Sequence, residues 1–111
     1  MSRFDTCIKF EKEFERLSKK YKTLSDDLEK FKEVLLAHPT GIGKNFTIIH
    51  VMGDIKIVKA RMACRTLRDR SLRVIYAYHE QEQKITLIEL YYKGDKENED
   101  RGRIEQYLKA M

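Results

Sequence analysis

Two amphipathic helices in direct succession constrain the fold of this chain more than any other feature of its sequence. Apolar side chains recur at i, i+4, i+7 and i+11, with charged residues between them, at Phe10, Phe14, Leu17 and Tyr21 and again at Leu24, Leu28, Phe31 and Leu35. This spacing predicts one helix over about residues 8–21 and a second that ends before Pro39 and Gly41. Because only a residue or two separates them, we expect an antiparallel helical hairpin whose apolar side covers another layer.

A β-sheet is the layer that the following residues predict. Runs rich in β-branched and aromatic residues, separated by polar or glycine-containing turns, occupy residues 46–52, 55–64, 72–79 and 85–92. A charged segment then leads into a short helix with Ile104, Tyr107, Leu108 and Met111 on one side. We therefore predict a single α+β domain over residues 1–111, with an N-terminal antiparallel helical hairpin packed on a three- to four-stranded antiparallel sheet and a short C-terminal helix.

The composition argues against disorder and against a membrane span. Hydrophobic residues make up 41% of the chain, and six Tyr and five Phe supply volume for a core. No stretch approaches the roughly 20 apolar residues that a bilayer span requires, and no signal-peptide segment is evident, so we expect a soluble cytoplasmic protein. Cys7 and Cys64 are far apart and the three histidines are scattered, so neither a metal site nor another cofactor is predicted.

Positive charge is concentrated in the middle of the chain. Seven basic residues and one acid lie between positions 56 and 73, namely Lys56, Lys59, Arg61, Arg65, Arg68, Arg70 and Arg73 against Asp69. Seven minus one is +6, whereas the whole chain carries +5, so the other residues sum to −1. Such a cluster indicates a phosphate-rich partner, and the alternative is a solvated basic surface that only maintains solubility.

Strand alternation places some of these cations on one face of the sheet. Lys59 and Arg61 are two residues apart and point the same way as Ala63, opposite to the row of Val58, Ala60, Met62 and Cys64. Arg73 lies within an apolar strand, where an arginine costs desolvation unless it is paired or functional. The alternative for Arg73 is a structural salt bridge to Glu89.

The remaining motifs are weaker. Gly41-Ile-Gly43-Lys44 lacks the spacing of a phosphate-binding loop and is interpreted as a helix-to-strand connector. The acid-rich residues 95–100 are interpreted as a solvated helix start, and His79 as a solvated side chain. Tyr91 and Tyr92, at the end of the last strand, either stack on bases or close the core.

In this order, the motifs resemble the RelE/ParE superfamily of toxin–antitoxin toxins, and within it the RelE-type messenger-RNA interferases. The resemblance lies in Lys-Ala-Arg-Met at 59–62, Leu-Arg-Val-Ile-Tyr at 72–76, Ile-Glu-Leu-Tyr-Tyr-Lys-Gly-Asp-Lys-Glu-Asn-Glu-Asp at 88–100 and Leu-Ser-Lys-Lys-Tyr at 17–21. It implies a concave antiparallel sheet with the two N-terminal helices on its convex face. It also implies ribosome-dependent mRNA cleavage without a metal, and neutralisation by a cognate antitoxin protein.

The resemblance also implies roles for individual residues. Arg73 matches the family's arginine at the scissile phosphate, Lys59 and Arg61 match basic residues of the preceding strand, and Tyr92 and Lys93 occupy positions used in acid–base chemistry. Like charges around Lys59 are expected to lower its pKa and suit it as a base, while Tyr92 or Lys93 serves as the acid. The side chains expected to bind RNA are Lys56, Arg65, Arg68, Arg70 and Tyr91.

Two other functions fit the same sequence. One is a non-catalytic toxin of this fold that acts by binding a protein, as a ParE-like gyrase inhibitor does. The other is a simple RNA-binding module in which Tyr91 and Tyr92 stack on bases and no bond is cleaved. In the preferred interpretation, the partners are the antitoxin, mRNA and the ribosome, and no membrane is involved.

Overall fold

A mixed β-sheet with helices on both faces organises the protein. The computed structural model describes residues 3–68 and 70–111. The elements of these residues, in chain order, are β1 (Phe4–Thr6), α1 (Ile8–Lys20), α2 (Leu24–Ala37), β2 (Phe46–Met52), β3 (Ile55–Ala63), a 3₁₀ turn (Arg65–Leu67), β4 (Ser71–His79), β5 (Lys84–Tyr92) and α3 (Arg101–Lys109). The α+β class, the helical hairpin and the short terminal helix are confirmed.

The sheet has one strand more than the sequence predicted. Its order is β1-β5-β4-β3-β2, in which β2 to β5 form an antiparallel meander and β1 pairs in parallel with β5. The three residues of β1 are too few to produce an alternating pattern. The strand forms because the chain entering α1 pairs with the free edge of β5, where Ile85 N donates to Arg3 O and Cys7 N donates to Leu87 O, both at 2.9 Å.

The helical hairpin covers one face of the sheet. The side chains predicted to lie on its apolar side are buried there, with Phe14 only partly buried, against inward-facing residues of β3, β4 and β5. Phe31 contributes aromatic contacts, stacking on Phe46 at 6.0 Å between ring centroids and meeting Tyr76 edge-on at 6.3 Å. The side chains that α1 and α2 bury in this first core are Phe10, Leu17, Leu24, Leu28, Phe31 and Leu35.

Helix α3 covers only part of the opposite face. Its Ile104 and Leu108 pack on Ile57, Ile75 and Ile88 in a second core. The helix begins at Arg101 because the Asp100 carboxylate accepts a hydrogen bond of 3.0 Å from Arg103 N and so caps the first turn. Because α3 is only nine residues long, it does not reach the C-terminal end of β3 and the N-terminal end of β4, which pair with each other. This end of the two strands is left uncovered on the α3 face.

A bulge in β5 fixes which side chains face α3. Tyr76 pairs with Leu87 and Ile75 with Glu89, so Ile88 is the additional residue. Glu89 is fully buried on this face, where it contacts the Lys96 ammonium and accepts a hydrogen bond of 2.8 Å from Asp100 N. The bulge therefore provides a buried carboxylate that fastens the segment before α3 to the sheet.

Two further contacts attach α3 to the rest of the molecule. The guanidinium of Arg103 forms a two-pronged ion pair with Glu13 of α1, with N–O distances of 2.9 and 3.0 Å. His79 was expected to be solvated, and this prediction is wrong: its ring is buried and lies 2.6 Å from the Tyr107 hydroxyl, because α3 folds back over the end of β4. None of the described helices is both long and apolar enough to cross a bilayer.

Candidate functional site

The uncovered end of the α3 face holds a cleft of about 420 Å³ that is strongly positive. We call it the cationic cleft. Six basic side chains and one carboxylate line it, namely Lys44, Lys59, Arg61, Arg73, Lys93, Arg101 and Glu99. Of the sequence-predicted catalytic residues, four of five therefore lie together, and Tyr92 does not.

An arginine pair lies on the sheet floor of the cleft. Arg61 of β3 and Arg73 of β4 are directly opposite each other in the antiparallel register. Burial and the charge of Arg61 lower the pKa of Arg73, but a guanidinium stays protonated at neutral pH all the same. Like charges directly opposite each other on a sheet are destabilising. A bound anion would relieve this repulsion, and neither strand contains a carboxylate that could do so.

The two arginines are not neutralised by a carboxylate among the described residues. Arg73 Nη1 donates a hydrogen bond of 2.8 Å to Ser71 Oγ, and the described ion pairs include none to Arg61 or Arg73. The alternative that Arg73 is bound to Glu89 is wrong, because Glu89 lies opposite Ile75 and contacts Lys96 instead. The guanidinium forks are thus left available to a ligand.

Lys59 is held in an ion pair that the sequence did not predict. Its Nζ lies 2.9 Å from Glu99 Oε1, and the Glu99 side chain is only 5% exposed. This hydrogen bond raises the pKa of Lys59 and lowers that of Glu99. The expected lowering of the Lys59 pKa by neighbouring cations is therefore wrong, and Lys59 is a poor base.

The acid-rich segment before α3 is more structured than predicted. Asp100 caps the helix and Glu99 enters the cleft, so only part of residues 95–100 is a solvated helix start. Asn98 lines the cleft beside them. Almost every residue in this stretch is charged, so the sequence contains no signal that distinguishes Glu99 from the other acids. For this reason Glu99 was not predicted from the sequence as a site residue.

The connector between α2 and β2 also contributes side chains. Gly41 and Gly43 adopt positive φ angles of 79° and 75°, and a β-carbon at Gly41 would collide with the ring of Phe46. The two glycines therefore allow the turn between α2 and β2, in agreement with the interpretation of this segment as a connector. The turn carries Lys44 and Asn45 to the rim of the cleft, where Asn45 O accepts a hydrogen bond of 2.9 Å from Arg61 N.

Tyr91 and Tyr92 lie on opposite faces of the sheet. Tyr92 packs on the helical side, with its ring 6.4 Å from that of Tyr21 and its hydroxyl bound to Arg70. This position removes Tyr92 from the cationic cleft and from the role of acid there. Tyr91 is buried on the face of Arg73, its opposite residue, and burial raises its pKa against the opposing charge of Lys59.

The other basic residues of the central cluster lie outside the cleft. Lys56 contacts Glu80, Arg65 binds Asp27 and Asp26 of α2, and Arg70 binds Tyr92. Arg68 is exposed on the turn after the 3₁₀ segment, and Asp69 lies outside the described residues. The cluster is therefore two groups of cations rather than one surface, and RNA binding by Lys56, Arg65, Arg68, Arg70 and Tyr91 stays a prediction.

A larger groove, about 780 Å³, runs along the β1 edge. It is lined by four acids, Asp5, Glu29, Glu33 and Glu82, and by two lysines, one of which pairs with Asp5 at 2.6 Å. Its surplus of negative charge does not suit a phosphate. Within residues 3–68 and 70–111, no group of three or more His, Cys, Asp or Glu side chains is arranged to hold a metal ion.

Of the comparisons with known proteins, the one with solved structures found a match, and that match bears on the fold alone. No protein-family model matches the sequence, and no curated protein matches it. Among solved structures, the chain is similar to one from the archaeal RelE–RelB complex of Pyrococcus horikoshii OT3, with a TM-score of 0.64 over 83% of this chain and 94% of that one. This chain has a RelE-type fold. The two sequences are 20% identical, so the similarity extends to architecture and not to residue roles.

Proposed function

We propose that this protein is the toxin of a toxin–antitoxin pair and that it cleaves messenger RNA in the cationic cleft, without a metal, on the translating ribosome. The observation that carries the proposal is the uncompensated pair of Arg61 and Arg73, aligned across two strands at the floor of the cleft. Planar guanidinium groups hold phosphate oxygens two at a time, and two adjacent forks match the geometry of one phosphodiester.

The chemistry would follow from this arrangement. The ribose 2′-hydroxyl attacks the adjacent phosphorus, negative charge gathers on the phosphate oxygens, and the 5′-oxygen departs with a proton. Arg61, Arg73 and Lys59 supply charge stabilisation, which is generally among the largest contributions to a reaction of this kind. Lys93, which lines the same cleft, remains the candidate acid.

The partner would be an antitoxin protein. The similar archaeal chain comes from a complex of RelE with RelB, and a cleft with six cations and one carboxylate suits an acidic partner segment. Such a segment would neutralise the arginine pair and exclude RNA at the same time. Both roles place the protein where mRNA is translated, in the cytoplasm.

The test is to incubate the purified protein with translating ribosomes and to map the ends of the message. Attack by the 2′-hydroxyl leaves a 5′-hydroxyl on the downstream fragment, so new ends should become ligatable only after phosphorylation. A protein that retards RNA but creates no ends would instead be an RNA-binding module. Intact message combined with inhibition of gyrase would support the ParE-like alternative.

A further inference from the structure

We infer that Glu99 is the general base of the cationic cleft, the group that accepts the proton of the attacking ribose 2′-hydroxyl. This inference rests on the function proposed above and deepens it. It assigns to Glu99 the role of base that the sequence predicted for Lys59, and it arises from the position of this carboxylate in the cleft.

Among the described residues that line the cleft, Glu99 is the one with a carboxylate. Lys59 and Tyr91 both have raised pKa values and therefore keep their protons at neutral pH. A base must be deprotonated before the reaction begins. Because the Lys59 ammonium donates a hydrogen bond to it, Glu99 has a lowered pKa, which keeps it ionised before the reaction and also weakens it as a base. Its place in the cleft, not its pKa, is what assigns it the role.

The two carboxylate oxygens of Glu99 differ in how firmly they are held. Oε1 accepts the 2.9 Å hydrogen bond from Lys59, which is itself largely covered. Oε2 lies 3.3 Å from Arg101, whose side chain is 82% exposed. Exposed ion pairs contribute little, so an incoming ribose can displace Arg101 while Lys59 keeps the carboxylate in place.

The backbone beside Glu99 is also fixed. Asp100 N donates to the fully buried Glu89, and Lys96 contacts the same carboxylate. These contacts hold the segment on either side of Glu99 against β5. A base kept in position by such neighbours loses little entropy when the substrate binds.

The proposed step balances. Glu99 takes the 2′-hydroxyl proton as the bond between the 2′-oxygen and phosphorus forms. The bond between phosphorus and the 5′-oxygen breaks, and the departing oxygen takes a proton from the Lys93 ammonium. The products are a 2′,3′-cyclic phosphate and a 5′-hydroxyl, after which Glu99 and Lys93 exchange protons with water.

The experiment compares Glu99→Gln with Glu97→Gln in single-turnover cleavage on ribosomes loaded with message. Glutamine keeps an oxygen that can accept from Lys59 but cannot take a proton, so we expect cleavage to fall at least about 100-fold. Binding to the message should stay equal or tighten, because a negative charge has been removed. Glu97 is exposed two residues away and serves as the matched control, with cleavage expected to be unchanged.

A message with sulfur in place of the scissile 5′-oxygen separates the base from the acid. Sulfur leaves without protonation, so it should restore cleavage by Lys93→Met but not by Glu99→Gln. Glu99→Asp, which keeps a carboxylate, should cleave faster than Glu99→Gln, and thermal unfolding verifies that each variant is folded. Cleavage by Glu99→Gln within about threefold of wild type, or its rescue by sulfur, overturns the inference, whereas no cleavage by the wild type overturns the proposed function itself.

Discussion

At the scale of single residues, Arg73 owes its importance to its position opposite Arg61. Each arginine alone is an ordinary cation, but the antiparallel register places their backbones directly opposite each other, so both guanidinium groups can reach one ligand. Ser71 holds one nitrogen of Arg73 and so orients its guanidinium. A substitution that preserves charge but not shape therefore isolates the contribution of the fork.

We predict that Arg73→Lys lowers message cleavage by about one to three orders of magnitude while ribosome binding changes little, because lysine keeps the charge and loses the bidentate geometry. Single-turnover cleavage and binding, measured on the same preparation, test this. Arg70→Lys is the control, since Arg70 lies on the other face of the sheet and both quantities should be unaffected. Undiminished cleavage by folded Arg73→Lys would remove the arginine from the mechanism.

At the scale of elements, the polar contacts of Asp27 connect α2 to the turn after β3. Its buried carboxylate accepts hydrogen bonds from Arg65 N at 3.1 Å, Arg65 Nε at 3.2 Å and Thr23 Oγ1 at 2.8 Å. Although burial raises the pKa of Asp27, the hydrogen bonds from Thr23, Cys64 and Arg65 lower it more. Arg65 therefore has a structural role in the folded chain.

We predict that Asp27→Asn reduces the free energy of unfolding at pH 7 by about 1–3 kcal/mol, because hydrogen bonds to a buried charged acceptor are weakened. A group whose pKa is lowered by folding stabilises the protein above its unfolded pKa and ceases to do so as pH falls through the folded value. The gap between variant and wild type should accordingly shrink below about pH 4. Denaturant titrations at several pH values measure it.

Asp26→Asn is the matched control for this element. Asp26 is 79% exposed and lies 3.5 Å from the same arginine, so its loss should change the free energy of unfolding by less than about 0.5 kcal/mol. Equal effects of the two substitutions at pH 7 would show that burial of the Asp27 carboxylate adds nothing to the free energy of unfolding.

The element scale also explains what sequence could and could not predict. The helical hairpin and the meander follow from periodicity, since each segment buries its apolar face against the next. The sides taken by Tyr91 and Tyr92 depend on the bulge at Ile88, because one inserted residue exchanges the two faces of a strand. Lys59 was misjudged because its partner, Glu99, is 40 residues away along the chain and comes near only through folding.

At the scale of the whole molecule, charge is divided between two faces. The cationic cleft lies on the α3 face, whereas Lys56, Arg65 and Arg70 are engaged in contacts outside it. The count of charges along the sequence treated these two groups of cations as one cluster. The proposed function requires the phosphate backbone of RNA to meet the α3 face, where the cationic cleft lies.

We predict that the protein encoded beside this chain binds it through an acidic segment laid over the cationic cleft. Co-expression should yield a complex, and Arg61→Gln/Arg73→Gln should raise its dissociation constant more at low salt than at high salt, because screening already weakens these contacts at high salt. Isothermal titration at two salt concentrations measures this. A neighbouring protein that neither co-purifies nor relieves growth inhibition would contradict the prediction.

The most direct test of the central claim, that the cationic cleft is the RNA site, is the salt dependence of single-stranded RNA binding by two double variants. Arg61→Gln/Arg73→Gln and Arg68→Gln/Arg70→Gln each remove two positive charges, the first pair from the cleft and the second from outside it. The slope of log affinity against log salt should become shallower by about 0.7 for the cleft pair, because these two arginines together neutralise one phosphate, and should change by a smaller amount for the other pair. Equal slopes for the two variants, or a larger change for the Arg68 and Arg70 pair, would contradict the account.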